Sequence, residues 1–67
     1  MNTNDAIYAA AWGASFVYHK HKLREEYPDL ESERLRLSAA TRAETDAKHA
    51  VKMRTEYHRA KDEANED

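Results

Sequence analysis

The polarity of the chain changes sharply near its start. Residues 6–18 (AIYAAAWGASFVY) carry no formal charge, although 36% of the 67 residues are charged. A helix on the surface of a soluble protein normally keeps one polar face, so a segment that is apolar on all sides must be enclosed. A chain this short has little of itself to enclose such a segment. The pattern therefore predicts a helix that packs on the rest of the chain and also on a second copy or another protein.

The first helix is predicted over about residues 4–27. Thr3 or Asn4 is expected to cap it by accepting hydrogen bonds from free backbone N–H groups, and Asp5 suits the positive first turn. Pro28 should end the helix, because the residue before a proline is disfavoured in α geometry.

Apolar side chains form two adjacent rows along this helix. Its candidate core or self-association residues are Ile7, Tyr8, Trp12, Phe16 and Tyr18. Small residues lie between them, including Gly13, which costs about 1 kcal/mol relative to alanine inside a helix. We therefore expect a neighbouring backbone to approach closely at Gly13.

A second helix is predicted over about residues 29–64, because this stretch contains neither proline nor glycine. Asp29 is its expected N-cap, and Ser38 could instead start a third helix. The acidic end, residues 62–67, should fray. An approximate heptad repeat has a positions at Ala43, Ala50, Tyr57 and Ala64, and d positions at Ala39, Asp46, Met53 and Ala60. This narrow, alanine-rich seam favours close helix packing.

These elements predict one small all-α domain over residues 1–67, an antiparallel helical hairpin or three helices if Ser38 breaks the second. The turn at Pro28 would place Tyr18 near Ser38 and Ala6 near Ala50. Large side chains of the first helix would then face small ones of the second, which allows close packing.

The two predicted helices differ in length, at roughly 33 and 50 Å for a rise of 1.5 Å per residue. The end of the second helix should project beyond the first, and one helix cannot cover both apolar rows of the first. We therefore expect a homo-oligomer, a protein partner, or both. The candidate interface residues are Met53, Arg54, Tyr57, Ala60 and Ala64.

Motifs for catalysis and for cofactor or metal binding are lacking. The chain has no cysteine, and its four histidines have no spacing that would gather two on one side of a helix, as His19 and His21 illustrate. The HKHKLR segment, residues 19–24, could contact phosphates, but a net charge of −2 argues against nucleic acid. The uncharged segment is too short to cross a bilayer, which takes about 20 residues. We expect no enzyme, no cofactor, no small-molecule substrate, and neither a nucleic-acid nor a membrane partner.

The function that these features favour is protein binding. We expect a small cytoplasmic accessory protein that acts as an adaptor, inhibitor or modulator of a larger partner through helix-face contacts. Two alternatives stay open: a structural subunit of a larger assembly such as a virion or machine, and a short membrane-associated helical protein.

Overall fold

Two helices form the whole fold of the part of the chain that the structure, a computed structural model, describes (residues 2–64). Helix α1 spans Thr3–Glu26 and helix α2 spans Ser32–Ala64. They pack along each other in opposite directions, in an elongated hairpin of 58 × 24 × 12 Å. This confirms the predicted all-α hairpin. Helix α2 passes through Ser38 without interruption, so the three-helix alternative is wrong.

Helix α1 starts one residue away from its expected caps. The side chain of Asn2, rather than that of Thr3 or Asn4, caps the helix, and its Oδ1 accepts the backbone N–H of Asp5 at 2.8 Å. Asparagine is among the strongest N-cap residues, which explains why the helix extends back to it. Asp5 lies in the first turn, as predicted.

The turn between the helices is built around Pro28. Tyr27 leaves helical geometry, with φ −132° and ψ 75°, as expected of a residue before proline. The guanidinium of Arg24 donates hydrogen bonds to the carbonyls of Pro28 (3.2 Å) and Leu30 (3.0 Å). Because these bonds hold residues 28–30 in a turn, α2 begins at Ser32, and Asp29 is not its N-cap.

The hairpin core is narrow and lies on one line of α2. Leu35, Ala39, Ala43 and Ala47 are almost completely buried, each four residues after the last. On α1 only Leu23 is equally buried, and Phe16 and Leu30 pack against its cluster. The predicted heptad seam is thus replaced by a four-residue spacing, which leaves Asp46 exposed and buries Ala47 beside it.

Aromatic side chains of α1 complete this packing. The rings of Trp12 and Phe16 stack at 5.0 Å between centroids, 11° from parallel, and both side chains are half-buried. Phe16 packs against the cluster that contains Ala39, a small residue of α2, as the sequence predicts.

The register differs from the predicted one. Arg54 donates a hydrogen bond to Oδ1 of Asn4 at 3.1 Å, two residues further along α2 than a pairing of Ala6 with Ala50 predicts. Ser15 likewise reaches Asp46, which lies beyond the position that this pairing predicts for it. The predicted helix-surface ion pair between Glu44 and Lys48 is present, at 3.2 Å.

Candidate functional site

The last ten residues of α2, Thr55–Ala64, extend past the start of α1, and we call them the overhang. Arg54 marks the boundary, because its contact with Asn4 is where α1 begins. Every residue of the overhang is exposed. At 1.5 Å per residue the overhang is about 15 Å long. It is a helix without a second helix beside it in the described hairpin.

A row of apolar side chains runs along the overhang and begins one helical turn before it. The overhang stripe consists of Met53, Tyr57, Ala60 and Ala64. Spacings of four, three and four residues keep these side chains on one side of a helix. Met53 is 50% exposed and Tyr57 is 64% exposed. Arg54, the remaining predicted interface residue, is half-buried and already bonded to Asn4.

Charged residues border the overhang stripe with opposite signs on its two sides. Glu56 and Glu63 occupy the heptad g positions, on one side of the stripe. Arg54 and Lys61 occupy the e positions, on the other side. Among residues 2–64, neither Glu56, Glu63 nor Lys61 forms a salt bridge. The stripe therefore has an acidic edge and a basic edge, and the helix backbone holds both in place.

A second feature lies at the middle of the helix pair, where three polar residues meet. The hydroxyl of Ser15 donates to Oδ2 of Asp46 at 2.6 Å, and Nε2 of His19 lies 3.2 Å from the same oxygen. We call this group the polar clamp. Ser15 and His19 are one helical turn apart on α1, so both reach the single carboxylate on α2.

The polar clamp joins the two helices, and its hydrogen-bond pattern differs from that of a catalytic triad. In a triad the histidine contacts the serine hydroxyl and the aspartate contacts the far side of the histidine ring. Here Asp46 accepts from both residues. The hydrogen bond from Ser15, followed by that from His19, holds the pKa of Asp46 below its ordinary value of 3.8. No cavity lies within residues 2–64 that could hold a substrate beside it.

Sequence reasoning missed the polar clamp, although a signal was present. Asp46 interrupts the alanine-rich seam at a d position, where an acid needs polar neighbours. Ser15 is the serine of the uncharged segment, and His19 follows it at i+4. A search for side chains on α1 able to satisfy Asp46 would have found both.

The predicted core or self-association residues of α1 fall into two groups. Ile7, Tyr8, Trp12 and Phe16 are half-buried in the hairpin, whereas Tyr18 is 56% exposed. One α2 helix thus covers only part of the apolar surface of α1.

The outer face of α1, on the side away from α2, is formed by small residues. Ala6, Ala10 and Val17 are exposed. A Cβ added at Gly13 would meet no atom within 4 Å, so the close approach expected there does not occur in the hairpin. The reason is its position, two residues before Ser15 and thus about 200° around the helix from the polar clamp.

The basic segment and the histidines have largely structural positions. Arg24 is bound to the turn carbonyls, which removes it from the predicted phosphate-contacting set. His19 belongs to the polar clamp. Over residues 2–64, no three potential metal ligands of the histidine, cysteine or carboxylate type come together. Neither described helix is long and apolar enough to span a membrane.

Comparison with protein-family models, with curated proteins and with solved structures finds no match to this chain.

Proposed function

We propose that this chain is a small non-enzymatic protein-binding module, and that the overhang is the part that contacts a larger protein partner. The supporting observation is the exposure of Met53 and Tyr57 at the point where α2 leaves its hairpin partner. An amphipathic helix that places apolar residues at spacings of three and four is the form in which many proteins enter a partner's groove. Methionine, tyrosine and arginine are enriched at the centres of such interfaces.

The rest of the hairpin would hold the overhang in shape. Isolated helices of ten residues are marginal in water, because nucleation is costly and few hydrogen bonds repay it. The overhang continues a helix whose earlier turns are packed on α1. A partner would therefore bind a preformed helix, and ordering that helix on binding would cost less free energy. Binding could block or bridge the partner, as an inhibitor or an adaptor does.

The test is a pull-down from native lysate that compares three forms of the full chain. Tyr57→Ala should reduce capture of the partner about tenfold or more, because truncation of a central aromatic residue commonly costs 2 kcal/mol. Tyr27→Ala is the matched control, since Tyr27 is 56% exposed but lies at the turn. Equal capture by the Tyr57→Ala and Tyr27→Ala forms would remove the overhang from consideration. Circular dichroism should show the same helix content in all three.

A structural subunit of a larger assembly is the second candidate. It is favoured by the presence of two uncovered surfaces, the overhang stripe and the outer face of α1, on one short chain. Size-exclusion chromatography with light scattering separates the candidates. A discrete soluble species favours the regulator, and an insoluble or unfolded isolated chain favours the obligate subunit.

The compartment and the remaining alternative belong to the same proposal. We propose a cytoplasmic location, which cell fractionation would test. The membrane-associated alternative requires the chain to sediment with liposomes, because an interfacial helix binds lipid through its apolar face.

A further inference from the structure

We infer that the overhang stripe fits a groove on a different protein, with one basic wall and one acidic wall, and does not fit a second copy of this chain. This inference rests on the proposed function, since it names the kind of partner that the overhang would bind.

The two edges of the overhang stripe are separated around the helix. Taking 3.6 residues per turn, Glu56 lies about 70° to one side of the stripe and Lys61 about 70° to the other. Glu63 and Arg54 lie slightly further out on the same two sides. In paired helices these positions face the neighbouring element and decide which partner is accepted.

A second copy lying parallel to the overhang is excluded by α1. In a parallel pair, the part of the second α2 before its residue 54 would run along the same side of the first α2. That side carries Ala39 and Ala43, which share the heptad d and a positions of the stripe and are buried in the hairpin at zero exposure. The second copy could occupy it only by displacing α1.

A second copy lying antiparallel avoids α1 but brings like charges together. Shape alone would allow this arrangement, because Tyr57 would face Ala60 and Met53 would face Ala64. Two-fold symmetry, however, places each edge of the stripe against the same edge of the other copy. Glu56 would then meet Glu63, and Lys61 would meet the edge with Arg54. Like charges across an interface disfavour association.

A different protein can satisfy both edges at once. A groove with an apolar floor would take Met53 and Tyr57, a basic wall would face Glu56 and Glu63, and an acidic wall would face Lys61. Since the two edges differ in sign, such a groove also fixes the direction in which the overhang lies. A groove with two walls of the same sign would repel one edge in either direction.

The experiment uses the full chain and two designed helical proteins that share one apolar groove. The first design has lysines along one wall and glutamates along the other, and the second has glutamines along both. We expect the lysine–glutamate groove to bind roughly tenfold more tightly at low salt, since it forms several exposed ion pairs that each contribute a small part of the difference. The difference should shrink at about 0.5 M salt, where charges are screened.

Variants of the chain test the edges directly. Glu56→Lys should weaken binding to the lysine–glutamate groove several-fold. Asp62→Lys is the matched control, because it makes the same change of charge on the side of the overhang opposite the stripe, and its affinity should stay within twofold. Equal affinity of the unmodified chain for the two grooves, in binding that Tyr57→Ala still weakens, would overturn this inference and leave the proposed function standing.

Two further outcomes separate the inference from the proposed function. Binding that Tyr57→Ala does not change would overturn both, because the stripe would then not be the contact surface. Sedimentation equilibrium of the chain alone should show no association that depends on Tyr57. A dimer that Tyr57→Ala dissociates would overturn the inference, because a second copy would then cover the stripe despite its edges.

Discussion

The two halves of α2 differ in how much of their apolar surface the first helix covers. In the first half, Ala39, Ala43 and Ala47 are completely buried, whereas in the second half Met53 and Tyr57 are at least half exposed. The helix is continuous through both halves. What differs is the neighbour, because α1 has 24 residues and α2 has 33. Tyr57 lies beyond the start of α1, so its exposure follows from the length of the opposing helix.

The apolar side chains of the two halves also differ in size, in keeping with this difference in burial. The covered half has alanine where α1 supplies the bulk of Trp12 and Phe16. The uncovered half supplies its own bulk, in Met53 and Tyr57. Small residues opposite large ones produce a packed intramolecular seam, whereas an aromatic residue presented outward is suited to fill a pocket on another molecule.

The largest expected effect comes from placing a charge in the covered half. Ala43→Glu should abolish the folded hairpin, because Ala43 has zero exposure and a carboxylate there would have to leave water. A buried unpaired charge costs several kcal/mol, and the core of so small a protein rarely supplies more than about 3–5 kcal/mol. Helix content and its thermal melt, followed by circular dichroism, would report the loss.

The matched control for this substitution lies in the uncovered half. Ala60→Glu adds the same charge to the same helix, at an exposed position. Its thermal melt should stay close to that of the unmodified chain. If the two substitutions were equally harmful, or equally harmless, the distinction between a covered and an uncovered half would be wrong.

The sequence was sufficient to predict the hairpin and the overhang, because both follow from strong local signals. Pro28 ends the first helix, and the segments on either side of it have helical composition and unequal length. The details depended on contacts that periodicity does not contain. The start of α2 at Ser32 follows from hydrogen bonds that Arg24 makes to the turn.

The sequence predicts the exposed end of α2 but not the open face of α1, for the same reason. The exposure of Tyr57 could be predicted from helix lengths alone. Gly13 was interpreted as a site of close packing because glycine is unfavourable in a helix, yet the open space beside it depends on how α1 is rotated relative to α2. In that rotation Ser15, His19 and Leu23 face α2, and no single spacing specifies it.

An intermediate effect is expected from filling this open space on α1. Gly13→Ala should raise the free energy of unfolding by about 1 kcal/mol, since the added methyl group meets no atom within 4 Å and alanine favours the helix. Urea denaturation at low protein concentration measures this change. The reverse substitution at the exposed neighbour, Ala14→Gly, should lower stability by a similar amount. A destabilising Gly13→Ala would contradict the open face and indicate that another backbone covers it in solution.

The smallest effect is expected at Asp46, a polar residue at the edge of the covered half. Its folded pKa lies below 3.8, mainly because Ser15 donates to it and next because of His19, while His49 on its own helix acts in the same direction. The ionised form is thus favoured by folding, so this contribution to stability is fully present above the ordinary pKa of an aspartate and is lost as the pH falls through the folded pKa.

Between about pH 5 and pH 2, the melting temperature of the unmodified chain should fall more steeply than that of Asp46→Asn. Asp62→Asn, on the exposed overhang, supplies the comparison and should retain the steeper fall. If Asp46→Asn and the unmodified chain lost stability in parallel, the polar clamp would contribute nothing to holding the helices together, and the covered half of α2 would depend on its apolar packing alone.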